Sequence, residues 1–135
     1  MQLQYYRVWQ TAPVLNKLYE NTTNGKLRHA AKRNARPMSS TYEDIMQWVR
    51  DDMKENEIEG DKLPFDDKGF MERFETFLIE EKVEFEPYLF SEDLMQYADG
   101  ITGTQENELS WLFTENQPKD EPEEKDGDEG VETNE

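Results

Sequence analysis

The clearest hydrophobic pattern in the chain lies between residues 41 and 56. Five apolar side chains recur there at helical spacing, and charged residues fill the rest of the circumference: Tyr42, Ile45, Met46, Val49 and Met53. Ser40 and Glu43 have the spacing of a capping box, in which each side chain accepts a hydrogen bond from the other residue's backbone N–H. The pattern therefore predicts a helix over 41–56.

A second apolar face predicts a helix near the start of the chain. Thr11 is a suitable amino-terminal cap, Pro13 suits a first helical turn, and Asn24 followed by Gly25 is typical of a helix end. The predicted helix covers residues 11–24, and its apolar face consists of Val14, Leu15, Leu18 and Tyr19.

The second half of the chain carries the aromatic part of the predicted core. A helix over 67–81 places three phenylalanines on one line, Phe70, Phe74 and Phe77. Charged and apolar residues alternate at the start of segment 83–90, which predicts an extended connector or a short edge strand. A serine cap predicts a short helix over 91–98, and Thr104 can begin a last one.

These elements predict a mainly α fold, a single domain of five to six short helices covering residues 1–115. Residues 115–135 contain ten Asp/Glu and one aliphatic side chain, Val131. Such a segment buries too little apolar surface to offset the entropy of ordering. We therefore expect 116–135 to be a disordered acidic tail.

Charge is distributed unevenly along the chain. The formal net charge is −17, yet residues 1–50 carry eight Lys/Arg and three Asp/Glu, whereas the remainder carries seven and 29. The domain is thus basic over 1–50 and acidic over 51–115. With no cysteine, no long apolar run and no apolar leader, we expect a soluble, unexported protein of the cytoplasm (the host's, if viral) that does not bind membranes.

The basic residues are concentrated in one block, "GKLRHAAKRNARP", which we expect Pro37 to end. On a helix, six of its side chains share one half of the circumference, opposite Leu27 and three alanines. We call these six the basic ridge: Lys26, Arg28, His29, Lys32, Arg33 and Arg36. Three interpretations remain open. The ridge is a solvated face balanced by the acidic domain, a site for an acidic protein segment such as the chain's own tail, or a phosphate-binding surface for nucleic acid, which the surrounding acidity disfavours.

Aromatic residues are abundant outside the predicted helical stripes. Tryptophan and tyrosine are enriched among the residues that dominate the energy of protein interfaces. We therefore predict four aromatic anchors for a protein partner, Trp9, Trp48, Tyr88 and Trp111.

The sequence offers little catalytic chemistry. The chain has no cysteine, and its one histidine, His29, has no carboxylate nearby in sequence to orient it. Phosphate-binding loops, dinucleotide fingerprints and calcium-loop patterns are also missing. We expect no enzymatic activity, no metal and no cofactor.

The favoured function is therefore a small acidic adaptor or inhibitor, of bacteriophage-like composition, that binds a larger protein. One alternative is an assembly factor, a scaffold or chaperone for a virion or another complex. Another is a nucleic-acid mimic or a transcription accessory, since "FMERFETFLIEEKVEFEPYLFSEDLMQYA" over 70–98 resembles the helix–connector–helix segment of phage late-transcription coactivators. That resemblance includes no diagnostic motif, and the hydrophobic clamp-binding motif of those coactivators is not found in "VETNE".

Overall fold

The computed structural model describes residues 1–117, and most of this chain is helical. The four α-helices are α1 (Tyr5–Asn21), α2 (Gly25–Glu55), α3 (Lys68–Glu80) and α4 (Gly103–Leu109). The two strands are β1 (Gln2–Gln4) and β2 (Lys82–Glu84), and short 3₁₀ helices cover Glu92–Tyr97, Ser110–Leu112 and Thr114–Asn116. The predicted mainly α class with one short extended region is confirmed.

Helix α2 is continuous where the sequence predicted two helices. Pro37 lies inside it, and Ser40 is an exposed residue in mid-helix rather than a cap. A proline in a helix interior removes one backbone hydrogen bond and costs about 3 kcal/mol. Packing offsets this cost, because three consecutive turns around the proline each place a residue in the core that is at most 4% exposed: Asn34, Met38 and Thr41.

Helix α1 begins six residues earlier than predicted. Thr11 does not cap it but lies fully buried within it, and the indole N–H of Trp111 donates to its hydroxyl at 3.2 Å. Pro13 is exposed inside the same helix. The helix extends back to Tyr5 because strand pairing holds the chain in place directly before it.

Strands β1 and β2 form an antiparallel pair that joins the start of the chain to the residues after α3. Leu3 lies opposite Val83, and Leu3 is buried. The Tyr5 N–H donates to the Glu81 carbonyl at 2.9 Å. This bond holds the first residue of α1 next to the strand pair. The extended region after α3 was predicted, but its partner strand was not.

The remaining helices begin close to their predicted positions. The Asp67 side chain accepts from the Phe70 N–H at 3.0 Å and begins α3, and Ser91 caps the first 3₁₀ helix. Thr102, not Thr104, caps α4, with a capping box completed by Gln105. The box satisfies backbone donors at both ends of the turn, which favours the earlier start.

Aromatic rings from α1, α2 and α3 form one side of the core. Phe74 is 2% exposed, and its ring lies 5.1 Å from Trp9, 5.7 Å from Trp48 and 5.3 Å from Phe70. Trp9 also stacks on Tyr42 at 5.4 Å. This cluster fixes the relative positions of the three longest helices.

An ion pair joins α2 to α3 beside the aromatic cluster. The Arg73 guanidinium donates to both carboxylate oxygens of Asp52, at 2.8 and 2.9 Å, and Asp52 is buried. These hydrogen bonds to Asp52 raise the pKa of Arg73. The buried carboxylate is thus matched in charge and in hydrogen bonding.

The last described residues, 116 and 117, belong to the folded part of the chain and not to the tail that the composition predicted. The Asn116 side chain donates to the Ser110 carbonyl at 2.9 Å, and the Gln117 side chain donates to the Trp111 carbonyl at 2.8 Å. The rest of the predicted tail, residues 118–135, lies outside the described residues.

Candidate protein-binding site

All six side chains of the basic ridge are exposed on the first three turns of α2. The Asn24 side chain caps this end of the helix by accepting from the Leu27 N–H at 3.0 Å. Leu27, Ala30 and Ala31 on the other side are at most 1% exposed, because small side chains let this part of α2 pack closely on the core. The predicted segregation of basic and apolar residues is therefore present in the fold.

Three ridge cations lie over aromatic rings. Arg28 and Lys32 lie 4.6 and 5.4 Å from the ring centre of Tyr19, and Arg33 lies 4.8 Å from that of Tyr88. A hydrogen bond from Arg28, together with the charge of Lys32, lowers the pKa of Tyr19. Cation–π contacts of this kind restrict long side chains without neutralising them.

The ridge carries no matching carboxylates within residues 1–117. The ion pairs in this part of the chain join the amino-terminal ammonium to Glu84 and Arg73 to Asp52. The ridge therefore presents its positive charge to solvent, although the domain as a whole is acidic.

Asn34 connects the ridge helix to the segment after β2. Its amide N–H donates to the Tyr88 carbonyl at 2.8 Å, and its carbonyl accepts from the Tyr88 N–H at 2.9 Å. The same amide also donates to the Ala30 carbonyl at 3.0 Å. Sequence reasoning missed this residue, although a polar side chain within the apolar face of an amphipathic helix was a signal for a buried hydrogen-bonding role.

A groove of about 420 Å³ opens between the first turns of α2 and the segment held by Asn34. Its apolar walls include Ala30, Leu89 and Leu94, and Lys26 and His29 of the ridge lie at its rim. The His29 ring contacts the Tyr88 ring edge-on, with centres 5.4 Å apart. The structure thus brings apolar and basic surfaces together at one site.

The four predicted aromatic anchors are half-buried. Trp9 and Trp48 belong to the aromatic cluster, Tyr88 lines the groove, and Trp111 packs beside Phe85 with Arg7 over its ring at 5.4 Å. The most exposed large apolar side chains in the described chain are others: Met1, Tyr6, Phe65, Ile79, Leu89 and Tyr97. Of the four, Tyr88 contacts the ridge, through His29 and Arg33. Contact between the four anchors and a partner stays a prediction.

A residue near the end of the described chain is hydrogen-bonded to a residue that lines the groove. Glu115 accepts from the Ser91 hydroxyl at 2.7 Å and from the Glu92 N–H at 2.9 Å, and Ser91 itself lines the groove. The bond from the Glu92 backbone N–H has the larger effect, and together these hydrogen bonds lower the pKa of Glu115 to about 2. Glu115, three positions before residue 118, is therefore hydrogen-bonded to a residue that lines the groove beside the basic ridge.

Over residues 1–117, no helix combines the length and apolar character needed to cross a bilayer. In the same part of the chain, no three acidic or histidine side chains are placed to hold a metal ion. Comparison of the chain with protein-family models, with curated proteins and with solved structures gave no match.

Proposed function

We propose that this protein is a small non-enzymatic adaptor or inhibitor that docks on a larger protein by binding an acidic segment of it. The observation that carries the proposal is the basic ridge, exposed and without ion-pair partners in residues 1–117, beside an apolar groove. Such a site suits a peptide in which carboxylates flank an apolar side chain. The carboxylates would contact the ridge, and the apolar side chain would enter the groove.

Preorganisation supports a binding role. Arg28 and Lys32 lie on Tyr19, and Arg33 lies on Tyr88, so part of their conformational entropy is already lost in the free protein. Less entropy then remains to be lost on binding, which favours affinity. The groove adds an apolar contact that a nucleic-acid backbone would not use.

Charge reversal of the ridge tests this proposal. We expect Arg28→Glu, Lys32→Glu and Arg36→Glu together to weaken binding of a fluorescein-labelled peptide EEDLFEDE about 10- to 30-fold, because three attractive contacts become repulsive. Fluorescence anisotropy at low salt measures the affinity, and circular dichroism checks the fold.

The matched control makes the same change in charge away from the ridge. Lys54→Glu, Lys62→Glu and Lys68→Glu alter exposed lysines outside the site and should leave the affinity within about threefold. Equal weakening in both triple variants would reject the ridge as the site. Tighter binding of a single-stranded oligonucleotide of equal charge would instead favour nucleic acid as the ligand.

The chain's own carboxyl-terminal residues are a further proposed ligand of the ridge. Residues 118–135 contain nine Asp/Glu and two Lys, and an extended chain of this length reaches up to about 60 Å. Tethering gives such a segment an effective concentration on the order of millimolar. It would then compete with an external acidic peptide.

Removal of residues 118–135 is therefore expected to tighten binding of the EEDLFEDE peptide about three- to tenfold, by the same anisotropy assay. A chain of full length, with the nine tail carboxylates changed to amides, separates charge from length. If this tail without acidic side chains leaves the affinity at the wild-type value while deletion raises it, electrostatic competition is wrong.

A further inference from the structure

A second recess, of about 410 Å³, lies between α2 and α3. Two aromatic rings, Trp48 and Phe77, line it together with three glutamates, Glu72, Glu80 and Glu81. This surface shares no lining residue with the groove beside the basic ridge.

The aromatic walls of this recess are held in place by the core. The Trp48 and Phe77 rings are nearly parallel, with centres 4.6 Å apart and an interplanar angle of 10°. The Phe74 ring stacks on Trp48 with ring centres 5.7 Å apart, and the Tyr5 and Phe77 rings pack edge to face with centres 5.6 Å apart. Both lining rings are half-buried, so the recess exists before any ligand binds.

The charge around the recess is negative. All three glutamates are exposed, and none forms an ion pair with a cation of the described residues 1–117. Arg73 also lines the recess, but its guanidinium is bonded to both oxygens of buried Asp52. The glutamates therefore remain available to an external cation.

We propose that this recess binds an arginine side chain of a basic protein segment. A guanidinium is flat, stacks on aromatic rings and donates paired hydrogen bonds to carboxylates, and the recess presents the exposed parts of two half-buried rings beside three exposed glutamates. A lysine ammonium is more strongly hydrated and does not stack in this way. The net charge of −17 also speeds encounter with a basic partner.

The inference does not depend on the function proposed for the basic ridge. If both sites are used, one protein holds an acidic segment on the first turns of α2 and a basic segment near its last turns. Trp48 follows Arg28 by 20 residues, a separation of about 30 Å along one helix.

Titration of the ¹⁵N-labelled full chain tests the recess. The probes are the peptides acetyl-GRGRG-amide, acetyl-GKGKG-amide and a citrulline analogue of the first. The indole N–H signal of Trp48, assigned by the loss of one peak in Trp48→Phe, reports binding. We expect the arginine peptide to bind, the lysine peptide to bind about three- to tenfold more weakly, and the citrulline peptide to cause no shift.

Matched variants separate the recess from general acidity. Glu80→Gln with Glu81→Gln should weaken arginine-peptide binding about three- to tenfold. Glu57→Gln with Glu59→Gln removes the same charge from exposed side chains that do not line the recess, and affinity should change less than twofold. Equal losses in the two pairs, or equal affinities for arginine and lysine peptides, would overturn the proposal, whatever happens at the ridge.

Discussion

Replacing Phe74 by alanine is expected to destabilise the protein by about 4 kcal/mol. The side chain is 2% exposed and contacts the rings of Trp9, Trp48 and Phe70, which come from three different helices. Truncation removes the apolar contacts and leaves a cavity that rigid aromatic neighbours cannot fill. Urea unfolding followed by circular dichroism measures the loss.

Phe65→Ala is the matched control, since the same atoms are removed from a ring that is 58% exposed. We expect that substitution to change the free energy of unfolding by less than about 1 kcal/mol. Similar values for the two variants would mean that the aromatic cluster does not form the centre of the core.

Asn34→Leu is expected to cost about 3 kcal/mol, although leucine is apolar and similar in size. The substitution leaves the N–H and the carbonyl of Tyr88 without their partners, and the Ala30 carbonyl loses a further donor. An unsatisfied buried polar group costs about 1–3 kcal/mol. Urea unfolding measures this change, and Asn16→Leu, at an exposed position of α1, should stay within about 0.5 kcal/mol of wild type.

The Asn34 variant also tests how the groove is built. The two bonds to Tyr88 hold the segment that forms one wall, so the affinity for the EEDLFEDE peptide should fall together with stability. Phe74→Ala, measured under conditions where it remains folded, should keep most of that affinity because Phe74 does not line the groove. Unchanged peptide affinity in folded Asn34→Leu would show that the wall does not depend on this residue.

The continuity of α2 matters for both proposed sites. The basic ridge lies on its first turns, and Trp48 lies two turns before its end at Glu55. A break at Pro37 would let the two surfaces move relative to each other, whereas one helix holds them at a set separation. An adaptor with two oppositely charged sites benefits from such a rigid spacing.

Local patterns predicted the parts of the candidate site that depend on local structure. The spacing of Lys26, Arg28 and Lys32 indicated an exposed basic face, and the small residues opposite indicated close packing. The groove was not predicted, because it forms between residues more than 50 positions apart in the chain, such as His29 and Leu89. Helical periodicity contains no information about which distant segment covers a given face.

The sequence by itself determined the helical class, the α3 helix, and the separation of basic from apolar residues on α2. These features depend on spacing and capping within a few residues, so the chain encodes them locally. Only the tertiary structure decided that the helix continues through Pro37, that β1 pairs with β2 and that Asn34 is buried. Each of these depends on contacts between distant segments, whose packing energy exceeds the local preferences they override.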